Sequence, residues 1–156
     1  MKIPLHVTDG GRAAAGYTKG KYGDCVVRAI AIASEIPYQE VLDNLTELSE
    51  EYMYGSRSQV ARILHAKKAK GKFSPQHGAF REVYHSYLLS IGMVWVPTML
   101  IGSGCQVHLR PDELPAGRLV LRLSRHLAAM IDGVLHDTHD CSREGTRCVY
   151  GFYHLS

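Results

Sequence analysis

The stretch "HLAAMIDGVLHDT", residues 126–138, decides how the second half of the chain folds. An apolar run reaches Asp132-Gly133 and resumes directly after it. An Asp-Gly pair in that setting predicts a two-residue hairpin turn, whose central positions need positive φ. The turn sets a register: Ile131 faces Val134, Met130 faces Leu135, Ala128 faces Asp137 and His126 faces His139. Strand side chains alternate between faces. His126, Ala128 and Met130 therefore share a face with Leu135, Asp137 and His139. Leu127, Ala129, Ile131, Val134, His136 and Thr138 take the other. Asp137 becomes the diagonal neighbour of His126, roughly 7–8 Å away along the backbones, a gap their side chains can span. A longer loop or a bulge would shift the register and bring in His136 instead.

Around this hairpin, strands are expected at 93–99, 105–109, 118–124 and 147–153. The first half reads as helical. "CVVRAIAIAS", 25–34, is apolar on most sides, as a buried helix is, with Asp24 as its expected N-cap. Ile36-Pro37 ends it and opens a second helix with Val41, Leu42, Leu45 and Leu48 as its stripe. A third runs over about 79–91 with Phe80, Val83, Tyr87, Leu88 and Ile91 on one side, closed by Gly92. The glycine-rich segment 9–24 is an irregular lead-in. Helices followed by an antiparallel sheet predict one α+β domain over 1–156.

Cys25 stands where the glycine-acid turn "YGD" becomes the first helix. Taken alone, a cysteine there is an ordinary small core residue. A histidine and a carboxylate on one face of a later hairpin change its meaning. A helix N-terminus favours the thiolate, an imidazole can take and return its proton, and a carboxylate can orient the ring. Cys105 with His108 is a rival pair, but spacing three on a strand sends them to opposite faces. His136, His139, Cys141 and Cys148 are zinc-type ligands. Their spacing fits no common finger and the hairpin separates the two histidines, so no metal and no cofactor is expected.

The segments "GDCVVRA" (23–29), "RHLAAMIDG" (125–133) and "HDTHD" (136–140) resemble the papain-like superfamily of cysteine peptidases. Bacteriocin-leader peptidases, transglutaminase-like proteins and cell-wall cysteine hydrolases share the order of residues. The resemblance implies N-terminal helices packed on an antiparallel sheet, with Cys25 as nucleophile, His126 as base and Asp137 as orienting acid. On the cell-wall-hydrolase template His139 would be the third member. Many such peptidases carry a glutamine about six residues before the cysteine. Here that position is Lys19, so Lys19, Tyr17 or backbone N–H groups would have to serve the oxyanion. The implied function is a cysteine-dependent hydrolase, a peptidase or isopeptidase acting on a peptide or protein.

The chain has 156 residues, 46% hydrophobic and 21% charged, with a net charge of +3. That balance argues weakly for nucleic acid. No apolar run approaches the ~18 residues of a membrane span, and the first eight residues do not read as a signal peptide. The expected setting is the cytoplasm of a bacterial or phage-infected cell, with the four cysteines kept as thiols. Were the protein exported, Cys141 and Cys148 would be the pair to close a disulfide. Residues 53–81 hold no acid, and a basic insertion spans about 53–78, within which Val60, Ile63 and Leu64 suit a short amphipathic helix. Arg57, Arg62, Lys67, Lys68, Lys70 and Lys72 read as a solvated face balanced by the acids of the second helix, "KKAKGKFSPQHG" being an exposed loop. The alternative function is a non-catalytic binding protein whose basic segment docks an acidic partner, or, as a lesser option, nucleic acid.

Overall fold

The computed structural model describes residues 2–20 and 22–155. In chain order the elements are β1 (Leu5–Val7), α1 (Cys25–Ser34), α2 (Tyr38–Gly55), α3 (Gln59–Ala69), a 3-10 turn (Pro75–His77), α4 (Arg81–Ser90), β2 (Met93–Pro97), β3 (Val107–His108), β4 (Arg118–Leu123), β5 (His126–Ile131), β6 (Val134–Asp137), β7 (Cys148–Val149) and β8 (Gly151–Leu155). The class is α+β. The Asp132-Gly133 turn has φ of +48° and +80°, and Ile131 pairs with Val134 and Met130 with Leu135, the register its residues call for.

Six strands form one sheet in the order β1-β6-β5-β4-β8-β2. It is mixed, which corrects the expected all-antiparallel sheet: β1 runs parallel to β6, pairing Leu5 with Leu135 and Val7 with Asp137. β1 carried no signal because all three of its residues are exposed and none alternates. It forms because β6 leaves an open edge, and the Thr8 N–H closes it by donating to the Asp137 carbonyl at 3.0 Å. The expected strand 147–153 splits at Tyr150. β7 leaves the main sheet to pair with β3, and the Tyr150 N–H donates to the Arg122 carbonyl at 2.9 Å.

Both faces of the sheet are covered. α1 lays Val27, Ile30 and Ala33 against Leu127, Ala129, Val120 and Tyr153, with α2 and α4 behind it. The alanines of α1 let the helix approach the strands closely, and burial of Val27 and Ile30 contributes about 1.5–3 kcal/mol each. The other face, Leu119, Leu121, Ala128, Met130 and Leu135, is covered by Ile3, Leu109, Leu114 and Cys141.

The basic stretch is more structured than an exposed loop. α3 reaches through Lys67 and Lys68, with Ala61 and Leu64 buried. Pro75 and Gln76 are also buried. The Gln76 carbonyl accepts from the Gly23 N–H at 2.8 Å, so this segment is fastened to the turn before Cys25.

Candidate active site

α1 begins at Cys25, on the sheet face carried by Leu127 and Ala129, whereas β5 starts with His126, whose neighbours on its own face are Ala128 and Met130. The two meet because the head of α1 overhangs the head of β5. There Cys25, His126 and Leu127 line one cleft, and the His126 ring and the Leu127 N–H both favour negative charge on the Cys25 sulfur. Asp137, at the end of β6, receives His126 Nε2 on its Oδ2 at 2.7 Å. That leaves Nδ1 as the ring nitrogen for Cys25. The Thr138 N–H donates to Asp137 Oδ1 at 2.7 Å and Arg28 Nη2 lies 3.4 Å from the same oxygen.

These contacts set the charges. Burial alone would raise the Cys25 thiol. The His126 bond, the Leu127 N–H and the positive fields of His126 and Arg28 outweigh it, and the thiol titrates below its ordinary value. Burial opposes charge on His126 as well, but bonds to Asp137, Cys141 and Cys25 push it up to about 11. Asp137, despite burial, is drawn down to about 2 by His126 and the Thr138 N–H. The arrangement favours a thiolate–imidazolium pair beside an ionised carboxylate, and the protons belong to the group as a whole.

Asp24 does not cap α1. It is fully buried and accepts from Arg28, from Tyr38 Oη at 2.7 Å and from Arg12 Nη1 at 3.1 Å. Arg28 thereby joins Asp24 to Asp137. The i,i+4 spacing of Asp24 and Arg28 was the sequence signal for this pair. Tyr38 in turn accepts from Gln76 Nε2 at 3.1 Å. Gly10 belongs to this network sterically: it turns at φ +69°, and a Cβ there would come within 3.1 Å of Arg28 Cα.

His139 lines the cleft but stands apart from the acid's place. Its ring centroid lies 5.9 Å from that of His126, and Nδ1 pairs with Thr138 Oγ1. Neither oxyanion candidate reaches the cleft. The Tyr17 hydroxyl donates to Gln39 Oε1 at 2.7 Å, and Lys19 is exposed with its carbonyl held by the Tyr22 hydroxyl.

The cysteine expectations need correction. Cys105 and Cys148 form a disulfide, with Cα atoms 5.8 Å apart. Pairing of β3 with β7 brings them together, so Cys148 bonds across the strand pair and not to Cys141. Cys105 is thereby removed as a nucleophile, and His108 turns to Glu113 at 3.2 Å. The zinc-type quartet does not converge: Cys148 is bonded, and His136 packs against His6, ring centroids 4.9 Å apart. Cys141, by contrast, is buried beside His126 and Asp137, and the ligand-type atoms of the three lie within 4.8 Å of one another. A cation among them would displace the His126–Asp137 bond and confront the Arg28 guanidinium.

The six basic residues of the α2–α3 region lie outside the cleft. Arg57, Arg62, Lys70 and Lys72 are exposed. Lys67 donates to the His77 carbonyl at 3.1 Å and sits over Phe80. Lys68 bonds the Tyr54 hydroxyl and lies over Tyr54 and Phe73. Among the described residues, none of the six pairs with an acid of α2 within 4.0 Å, so the expected ionic balance is not made by direct contact. No helix is long and apolar enough to cross a membrane among the described residues.

Cys25 and His126 open onto a cleft of about 780 Å³, walled by the 77–81 segment, α4, the Ser124-Arg125 turn and Tyr150. No protein-family model, no curated protein and no solved structure matches this chain.

Proposed function

We propose that the protein is a cysteine-dependent acyl hydrolase acting on an amide or isopeptide bond, with a papain-like arrangement of its site. The observation that carries this reading is His126, bonded to Asp137 through Nε2 at 2.7 Å and lining the same cleft as Cys25. The Cys25 thiolate attacks the substrate carbonyl carbon and the carbonyl π pair moves onto oxygen. The His126 imidazolium protonates the departing amine as the tetrahedral species collapses to a thioester. Neutral His126 then takes a proton from water, hydroxide adds to the thioester, and the thiolate leaves. Asp137 holds the ring in the orientation that presents Nδ1 to sulfur and stabilises its charged form.

The oxyanion needs donors. The first N–H groups of a helix have no intrahelical partner, and Asp24 makes no side-chain cap bond to α1 because it turns toward Arg12, Arg28 and Tyr38. Cys25 and Val26 line the cleft at the head of α1, and their N–H groups are the donors this reading assigns to the oxyanion, since a helix N-terminus stabilises negative charge. No glutamine is required.

The test is alkylation by iodoacetamide at pH 6 followed by peptide mapping, with casein or a fluorogenic peptide mixture as substrate. Selective modification of Cys25 over Cys141, together with loss of hydrolysis on Cys25→Ala, is the expected result. Equal slow modification of both thiols would overturn the reading. Binding of polyanions through residues 57–72 without any hydrolysis would instead favour the docking alternative.

A further inference from the structure

The cleft beside Cys25 is unevenly charged. Arg81, at the start of α4, and Arg122, on β4, line it from one side, and Arg125 lines it from the β4–β5 turn. Among the described residues none of the three forms an ion pair. The one acid in the lining, Asp24, is fully buried and already bonded to Arg12 and Arg28. Glu82, next to Arg81, turns into a separate groove beside α2. Arg81 lies over the Trp95 ring at 5.4 Å. Arg81 and Arg122 both line this cleft and the groove beside it, so the two guanidiniums share one locality.

Arg81, Arg122 and Tyr150 also line an adjoining groove of about 290 Å³. Its far wall is Trp95, Pro97, Met99, Leu100 and Ile101. Leu100 is 70% exposed and Ile101 fully so, an unusual concentration of aliphatic surface. The order from the thiol outward is therefore Cys25, then two unpaired guanidiniums, then an aliphatic surface. Guanidinium matches carboxylate in a planar two-point contact.

We propose that this cleft takes an acidic polypeptide segment: Asp or Glu side chains near the attacked carbonyl lie between Arg81 and Arg122, and an apolar residue beyond them rests on the Trp95–Ile101 surface. The inference rests on the acyl-transfer reading of Cys25. A nucleic acid fits less well, because the surface beyond the arginines is mainly aliphatic rather than a run of stacking rings and further cations.

The probes are acetyl-Ile-Xaa-Xaa-Ala chloromethyl ketones with Xaa as Glu, Gln or Lys. Each forms a C–S bond from Cys25 to the methylene carbon as chloride leaves, and intact-protein mass reads the rate. The Glu probe is expected to react about tenfold faster than the Lys probe at low salt, the advantage shrinking with added NaCl. The double variant Arg81→Glu/Arg122→Glu is expected to reverse the order, a gain for the Lys probe that misfolding cannot produce. Should it not fold, Arg122→Gln alone is expected to lower the Glu-to-Lys ratio. Equal rates for all three probes, with iodoacetamide still selective for Cys25, would overturn this inference and leave the acyl-transfer reading standing. Loss of iodoacetamide selectivity would remove both. Stronger protection of Cys25 by a dT12 oligonucleotide than by an Asp/Glu peptide would overturn it in favour of a nucleic acid.

Discussion

Cys25 and Cys141 both lie near His126, yet one thiol titrates below its ordinary value and the other above it. Burial pushes both upward. At the head of α1, Cys25 gains the Leu127 N–H and the field of Arg28, groups that reward negative charge. Under β5, Cys141 has His126 but also the Asp137 carboxylate, which opposes a second anion. A neighbouring histidine is therefore not enough to make a nucleophile. What decides is the sign of the charge on the sulfur's other neighbours.

The largest effect expected from this contrast is in reactivity. At pH 6 an ordinary thiol is well under 1% ionised, so Cys25, whose thiol is lowered, should alkylate many-fold faster than Cys141, whose thiol is raised. Cys25→Ala should abolish both the fast phase and any hydrolysis. His126→Ala takes the shared ring away from both. It should slow hydrolysis by about 10²–10⁴-fold and return Cys25 alkylation toward ordinary pH dependence, read from rates between pH 5 and 9. In the wild type, the pair is active once Cys25 ionises and fails as His126 loses its proton near about 11.

Asp137→Asn would test whether the carboxylate separates the two cysteines. It leaves Arg28 and His126 buried beside a neutral group, and urea unfolding should show a loss of about 3 kcal/mol. The pH signature follows from the direction of each shift. Asp137, lowered to about 2, stabilises the fold above its ordinary 3.8, and that contribution is lost as pH falls through about 2. His126, raised, stabilises the fold below its ordinary 6.5, and its contribution is lost as pH climbs toward about 11. The variant should lose the acid limb.

A smaller effect is expected at Gly151, where a Cβ would come within 2.2 Å of Trp95 Cη2. Gly151→Ala should displace Trp95 from the sheet and cost about 1–3 kcal/mol, with a shift in tryptophan fluorescence. The smallest belongs to Cys141→Ala, a buried deletion of one sulfur. It should cost about 1 kcal/mol in thermal unfolding and leave the fast alkylation of Cys25 in place.

The parts legible in sequence were those governed by local rules. The Asp132-Gly133 turn and the period of two gave the His126–Asp137 diagonal, and the apolar run after Cys25 gave α1. Readings that needed distant partners went astray. β1 has no pattern of its own and exists because β6 offers an edge. Asp24 looked like a cap, but Arg12, Arg28 and Tyr38 converge on it from three directions. The four cysteines were expected as thiols, with Cys141 the partner of Cys148 only in an exported protein, whereas β3–β7 pairing handed Cys148 to Cys105. That disulfide also removes the support that four free thiols would have lent to a reducing compartment.

The sequence by itself determined the turn, the register and hence which histidine and which carboxylate share a face, because turn chemistry and strand alternation act within a few residues. Only the tertiary structure decided that the head of α1 overhangs the head of β5, that Arg28 bridges Asp24 to Asp137, and that Arg81 and Arg122 line the cleft of the thiol. Those outcomes depend on how a helix settles across a sheet, where packing over many residues sets the approach and no short segment records it.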